Sequence, residues 1–574
     1  MSNCKLIDVL SKLRKSSKES IDNTEVFDDF KNYMHVERKA ETDLINLIKN
    51  VNASGRKTLI LLCGSAGDGK SHLLAYLKNK TDLLNNYIVI NDATESDSPT
   101  QTAIETLNNR LKDFSDENID KPGSNLVLAI NLGVLNNFID TNHYGLHYDL
   151  LKSFVERNKI LTNHISDKQY TESDYFQSIS FSDYHMYSLT ENGIKTDYIS
   201  SILSKIFDDN LDNVFSSVAS SKTCHGCGLN SKCPVMDNFY FLKNKQVRNY
   251  ISQLLVKTII ADKTILTTRE LLNFIHDILI PADFSYEKFI KALDDKNTYF
   301  KLYLLATTPV LLFESNDVST LLNNLQKYDP LLIRTDETDK NAVDYYVTED
   351  VSTFIKSKLE GYSYFNLINN NENYASTKSD SDIKKIIFNI CTRIMNIEEP
   401  APDLFYNNYL KYLFYCNIGA KKQLKGLYDE VTKAVLNWCG SKKQAICLKR
   451  FKNGFSLYER LDFTPYLDDL PQFKNLQQTE RFYQDLHVCY IFYISKDNLI
   501  VPIDIDFNLY QLIRKLEYGY VPTAEDKNHY ADFIAFTKKL LLMGSYSENL
   551  IIVDDNGQET CLIKDQFGYK FEVK

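Results

Sequence analysis

The chain has 574 residues, with 66 lysines and arginines against 76 aspartates and glutamates and a formal net charge of −10. That balance excludes a protein that coats nucleic acid through its overall charge. Ordinary fractions of charged (25%) and hydrophobic (43%) residues exclude a largely disordered chain. Eleven cysteines, no secretory leader and no apolar run near the ~20 residues of a membrane helix predict a thiol-reduced, cytoplasmic, membrane-free protein of roughly two to four domains.

Residues 1–55 carry a helical pattern, with Ile7, Val9, Leu10 and Leu13 on one face and a second apolar set between Val26 and Leu47. Asn52-Ala53-Ser54-Gly55 closes this region. Thr58 to Cys63 reads as a buried parallel strand, and a helix follows from His72. Between them lies Gly64-Ser65-Ala66-Gly67-Asp68-Gly69-Lys70-Ser71, the spacing of a phosphate-binding loop. Further strands are expected at Tyr87–Ile90, ending in Asn91-Asp92, at Leu126–Asn131 and at Tyr175–Phe181. Helical stretches separate them, which predicts a parallel α/β sheet with ligands at the carboxyl ends of its strands. Two helices are expected between Lys245 and Ile280, broken at Asp262-Lys263, the second beginning at Thr267-Thr268-Arg269 under a threonine cap. Residues 286–368 look helical, and Asn369 to Asp382 is a polar linker. A helical pattern resumes at 383 with strand-like pieces near 489–505. The tail reads as a β-hairpin turning at Asn556-Gly557.

The expected architecture is therefore α/β: a P-loop NTPase sheet flanked by helices, a large, mainly helical C-terminal region and a small terminal hairpin. The expected segments are 1–55 (helical), 56–285 (ATPase, with a cysteine-rich insertion at 222–236), 286–382 (helices and linker) and 383–574 (α+β with a basic patch).

In the loop, backbone N–H groups freed by Gly64, Gly67 and Gly69 would converge on phosphate, beside Asp68 and at a helix N-terminus. Lys70 would reach the β- and γ-phosphates of ATP, and the Ser71 hydroxyl would sit on Mg²⁺. Asp92 is the acidic magnesium partner by this reading, Asn131 a polar group near the γ-phosphate, and Arg269 a γ-phosphate sensor. Asp92 capping its loop, Asn131 turning the chain and Arg269 solvated in a first helical turn are the structural alternatives. Arg334 is a weaker candidate of the same kind.

Cys224-His225-Gly226-Cys227 followed by Cys233-Pro234 supplies three thiols at metal-site spacing, pointing to structural Zn²⁺ ahead of an iron–sulfur cluster, or else to three buried, unligated thiols. A fourth ligand is not evident; His185 and Cys63 are the distant options. From Lys421 to Lys452, nine cations (Lys421, Lys422, Lys425, Lys433, Lys442, Lys443, Lys449, Arg450, Lys452) stand against Asp429 and Glu430, interleaved with Tyr428, Trp438 and Phe451. Such a segment either contacts DNA or is a solvated helix face. No nuclease or hydrolase motif accompanies it.

The ordered set of Tyr33-Met34-His35-Val36-Glu37-Arg38, the phosphate loop, Asn91-Asp92-Ala93-Thr94-Glu95-Ser96, Ile130-Asn131-Leu132-Gly133, Phe181-Ser182-Asp183-Tyr184-His185, the cysteine cluster, Thr268 to Phe274, and Gly519-Tyr520-Val521-Pro522 with Asp526 resembles the DptF family of DNA phosphorothioation-dependent restriction proteins. The resemblance implies an ATP-driven subunit of a defence complex that attacks DNA lacking a sulfur mark on its backbone. It also implies partners: a further restriction subunit and a translocase-like ATPase of the FtsK/HerA kind. A nucleotide-gated switch or scaffold that binds ATP without sustained hydrolysis is the competing expectation.

Overall fold

Successive residues of the first apolar run serve two different layers. The computed structural model describes residues 4–19, 29–65, 67–91, 93, 102–162, 165, 170–171, 174–210, 212–221, 224, 226–347, 351–369, 380–440, 445–452, 454–460, 463–473, 476, 480–494, 497–543 and 549–573. It opens with helices α1 (Lys5–Glu19), α2 (Asp29–Met34) and α3 (Lys39–Ser54), the last stopped by Gly55 in the left-handed region. Strand β1 (Leu59–Cys63) comes next, buried at every position. Its Leu59, Leu61 and Cys63 pack with Leu126, Leu128, Phe154 and Phe176 in one apolar layer. Its Ile60 and Leu62 pack with Leu44, Ile48, Leu74 and Leu77 in the other. A strand flanked by helices on both faces reads as a continuous apolar run because neither face meets water.

Helix α4 (Lys70–Lys80) leads to β2 (Tyr87–Ile90), then β3 (Asn125–Ile130) and β4 (Phe176–Ser180), all parallel, in the order β2-β3-β1-β4. Cys63 stands in register with both Ile130 and Ser180. The segments leaving β1, β3 and β4 therefore emerge side by side.

The chain divides into two compact units, Met1–Tyr187 with Thr196–Ala401, and Ser188–Lys195 with Pro402–Lys574. The first ends later than the expected division at 382, and residues 1–55 belong to it. The helix Ser381–Glu398 packs on the helices Val351–Leu359, Lys245–Asp262 and Thr308–Glu314 of the first unit, because its Ile383, Ile387, Ile390 and Ile394 form a buried stripe. Most of the polar stretch expected as a linker, 370–379, lies outside the described residues. At the centre of this helical part, fully buried Asn238 donates to the carbonyls of Leu279 (2.9 Å) and Ala306 (2.8 Å) and accepts from the Thr308 amide and the Tyr364 hydroxyl (2.8 Å each).

The second unit includes a hairpin that lies far upstream in sequence, β5 (Ser188–Thr190) with β6 (Gly193–Lys195), which packs on the helix Leu404–Asn417. The rest of the unit is less helical than expected. Strands β7 (Ala445–Arg450), β8 (Ser456–Arg460), β9 (Thr464–Tyr466), β10 (Leu486–Ile494), β11 (Asp497–Ile505), β12 (Asn549–Val553), β13 (Glu559–Asp565) and β14 (Gly568–Val573) form two antiparallel sheets, β11-β10-β9 and β14-β13-β12-β8-β7. The terminal hairpin turns where Asn556-Gly557 placed it, with Gly557 at φ +84°. It is one part of a five-stranded sheet, since β12 also pairs with β8. Among the described residues no helix is long and apolar enough to cross a membrane.

Candidate functional site

The loop between β1 and α4 is shaped by its glycines. Gly67 and Gly69 hold φ of +87° and +94°, values that a side chain strains to adopt. A Cβ on Gly67 would also meet the Thr267 hydroxyl at 3.3 Å, and one on Gly64 would meet Asp68 Oδ2 at 2.6 Å. Lys70 opens α4 and is buried at 8% exposure; its Nζ donates to the Ser65 carbonyl at 2.6 Å. The Ser71 hydroxyl donates to the Asn91 carbonyl at 3.3 Å, which ties the loop to the segment leaving β2. Asp68 folds back so that Oδ2 accepts the Ser65 N–H at 2.5 Å. Burial pushes its carboxyl above the usual range, with Lys70, the Ser65 amide and Arg38 pulling the other way.

Three distant segments line this loop. Arg38, just before α3, donates to the Asp68 carbonyl (3.4 Å) and the Tyr184 carbonyl (3.2 Å) while its guanidinium lies over the rings of Phe181 (5.7 Å) and Tyr198 (5.2 Å). Phe181 and Tyr184 come after β4, and the Tyr184 hydroxyl donates to Asp43 of α3 at 2.8 Å. The helix Thr268–Leu279 begins against the loop, with Thr267 as its cap in a reciprocal pair with Glu270. Arg269 Cβ stands 3.5 Å from where a Gly67 Cβ would be, and the Thr268 hydroxyl meets that of Tyr198 at 3.0 Å. Behind α4, His35 stacks on Tyr76 and meets His72 at 3.1 Å; its other nitrogen meets Glu41 at 3.2 Å. Burial first, then His35 and Lys31, lowers the His72 imidazole to about 4.

Of the candidate residues, Gly64, Gly67, Asp68, Gly69, Lys70 and Ser71 form the loop, and Arg269 lies beside it. Asn131 leaves β3 next to β1 in register and caps the helix Leu132–Asp140 through its backbone, with no side-chain capping bond. Asp92 and Ala66 lie outside the described residues. Asp183, after β4, is a further carboxylate at this end of the sheet, within electrostatic reach of the Cys63 thiol, as is Lys70. Arg334 pairs with Asp339 at 2.9 Å on the surface. Composition and motif spacing gave no role to Arg38 or Tyr198, and to Thr267 only that of the helix cap it proves to be. For Arg38 the string Tyr33 to Arg38 was a signal.

The basic segment does not form one surface. The Tyr428 hydroxyl is inside, donating to the Tyr466 carbonyl and accepting from the Cys489 amide. Trp438 packs edge-on against Phe533. Lys421 and Lys433 pair with Asp468 and Glu517, and Lys442 and Lys443 lie outside the described residues. The β7–β8 hairpin leaves Lys449, Arg450, Phe451, Lys452 and Phe455 exposed, with the Lys449 ammonium over the Phe451 ring at 5.1 Å.

In the cysteine-rich stretch Cys224 and Cys233 are buried and Cys227 is half-buried; His225 lies outside the described residues. Cys63 instead sits in the core of the parallel sheet, where burial raises its thiol to about 12. His185 stacks on Tyr187. Among the described residues no group of three or more His, Cys, Asp or Glu side chains stands ready to hold a metal ion. No protein-family model, curated protein or solved structure matches the chain.

Proposed function

We propose that the chain binds ATP with Mg²⁺ at Gly64–Ser71 and hydrolyses it as a cytoplasmic subunit of a phosphorothioation-dependent restriction complex acting on unmodified DNA. One observation carries the ATP reading: left-handed glycines at 67 and 69 join a fully buried parallel strand to a helix that starts with Lys70-Ser71. Such a junction presents N–H groups, a helix N-terminus and an ammonium to one small volume. Lys70 and Ser71 would exchange the Ser65 and Asn91 carbonyls for phosphate and magnesium. Mg²⁺ would neutralise charge across the β- and γ-phosphates. Asp92 or Asp183 would face that ion through water. Asn131 and Arg269 would meet the γ-phosphate end.

The restriction role rests on the family resemblance. Support for it comes from where three of its ordered strings lie: Tyr33–Arg38, Phe181–His185 and Thr268–Phe274 all border the loop. The exposed β7–β8 cations and phenylalanines would supply DNA contact. Purified protein is assayed for ATP turnover with and without unmodified duplex DNA, beside Lys70→Ala. Turnover that falls about a hundredfold or more in the variant is expected; turnover unchanged by the substitution refutes the reading.

A second reading, a nucleotide-gated switch, is favoured by Asn131. The strand beside β1 ends in an amide and so supplies no charge to activate water. Tight ATP binding without steady turnover, even with DNA, would select it.

A further inference from the structure

Antiparallel register sets three reactive side chains in a row on the sheet β11-β10-β9 of the second unit. His487 of β10 stands directly opposite Asp504 of β11. Cys489, two residues along β10, shares the face of His487, because side chains alternate along a strand. The His487 Nδ1 meets Asp504 Oδ1 at 2.6 Å, and its Nε2 meets the Cys489 sulfur at 3.1 Å. These contacts lie on opposite edges of the imidazole and do not converge on one point. That is the layout of a proton relay, in which a base bonded to a nucleophile is oriented by a third group.

Each member of the row favours a thiolate. With the Nδ1 proton donated to the carboxylate, Nε2 is the nitrogen left to take the thiol proton. The imidazolium so formed lies between two anions; Asp504 first, then Cys489, lifts this imidazole to about 10 against the pull of burial. The other titratable groups around the pair stay protonated at neutral pH. Burial raises the Tyr428 hydroxyl of the helix Lys425–Trp438 and the Tyr466 hydroxyl of β9, and pushes the Cys416 thiol of the helix Leu404–Asn417 up to about 12.

Access decides what the sulfur can meet. Cys489 is 2% exposed, and its amide donates to the Tyr428 hydroxyl at 3.2 Å. A peptide or ester therefore finds no room at the sulfur, and that amide is not free to hold an oxyanion. The His487 and Asp504 side chains are open to water, at 34% and 66%, beside exposed Pro502. That flank suits a reactant about the size of water. Hydrogen peroxide is such a reactant, and a thiolate is the form of cysteine it oxidises.

We propose that Cys489 is a site of oxidation by hydrogen peroxide, with His487 as its proton carrier and Asp504 as the positioning residue. The thiolate attacks one peroxide oxygen, an S–O bond forms, and the O–O bond breaks with its electron pair on the second oxygen. The His487 imidazolium gives its proton to that departing hydroxide. The products are a sulfenic acid, water and a neutral imidazole; sulfur is oxidised by two electrons and peroxide is reduced by two.

The test uses the full-length chain, purified reduced and exposed briefly to hydrogen peroxide. Catalase stops the reaction, and unfolding in dimedone then labels every sulfenic acid regardless of burial, for mapping by mass spectrometry. Cys4, Cys227, Cys439 and Cys447 are all more exposed than Cys489, so exposure alone would oxidise them first. Labelling of Cys489 about tenfold or more above any of the four is expected. Asp504→Asn, a change at the surface, should raise the pH of half-maximal oxidation rate and slow the reaction at neutral pH roughly threefold, and Asp504→Glu should restore both. Label spread over the exposed thiols, or a pH profile unmoved in Asp504→Asn, would each overturn the proposal. Neither readout involves nucleotide, so loss of the ATP reading leaves this result standing.

Discussion

Arg38 is the side chain whose removal tests the architecture of the proposed nucleotide site most directly. It touches no phosphate in the proposed ATP complex, yet it joins the phosphate loop to β4's exit and to Tyr198. Arg38→Ala removes a charged hydrogen bond of 3.2 Å, a longer one of 3.4 Å and two ring contacts. A charged hydrogen bond contributes about 1.5–3 kcal/mol, and a half-buried cation–ring contact about 0.5–1 kcal/mol. Taking the low end for every contact, the loss is about 4 kcal/mol. A cooperative unit as large as Met1–Ala401 gives up about 1 °C of melting temperature per kcal/mol, so a fall of about 4 °C is expected. If ATP must restore the loop's shape on binding, part of the same loss appears as affinity, about 10- to 100-fold in Kd. Arg38→Lys should behave much like alanine, because an ammonium cannot span two carbonyls while lying flat on two rings. The assays are differential scanning fluorimetry and titration with a fluorescent ATP analogue. A variant melting within 1 °C of wild type and binding ATP within twofold would refute the reasoning.

Asp68→Asn keeps an acceptor for the Ser65 amide but removes a negative charge from the loop. Like charges about 5 Å apart at an effective dielectric near 20 repel by about 3 kcal/mol, so ATP should bind tenfold or more tighter by calorimetric titration. Unchanged or weaker binding would show that the carboxylate assists phosphate. The His72 imidazole has its folded value lowered to about 4, against 6.5 when unfolded. Its contribution is therefore complete above pH 6.5 and is lost as the pH falls toward 4, amounting to about 3 kcal/mol. Urea midpoints at pH 7.5 and 4.5 should fall more steeply for wild type than for His72→Gln, with Lys31, His35 and Glu41 common to both; equal slopes would exclude His72 as the cause. Asn238→Ala strands two buried carbonyls and the buried Tyr364 hydroxyl, at about 1–3 kcal/mol each, while the Thr308 amide keeps the Tyr364 oxygen at 3.3 Å. A melting temperature lower by about 3–6 °C is expected, and a change under 1 °C would mean that the pocket rehydrates.

The parallel sheet was legible because β1 is buried on both faces and so has no polar alternation to obscure it. The loop was legible because glycine spacing is itself a backbone requirement. Arg38 was not, because the arginine acts through contacts made 30 to 160 residues away, which no local period records. The basic segment was legible only in part, because periodicity places lysines on a face but does not say which aromatics turn inward. Tyr428 and Trp438 do so here, and the tyrosine hydroxyl serves the edge of β10. β8 and β12 pair across about ninety residues, so the second sheet left only isolated strand-like runs to read. The boundary at Ala401 had a signal, Pro400 and Pro402 ahead of the Asp403 cap, where the Asn/Ser-rich stretch seemed to offer a stronger one.

The β5–β6 hairpin has a consequence for how the chain is made. It leaves the ribosome roughly 200 residues before the helix that covers it, an interval of about 10–40 s at ordinary synthesis rates. Through that time Leu189, fully buried in the finished protein, has no cover from the helix Leu404–Asn417. The stretch from Thr196 onward can meanwhile fold behind it, since the first unit resumes at once. The hairpin therefore waits on the nascent chain as a preformed dock. The second unit begins to close on it only when Tyr415 arrives to give its hydroxyl to Glu191, after the half of the protein that carries the glycine loop has been synthesised in full.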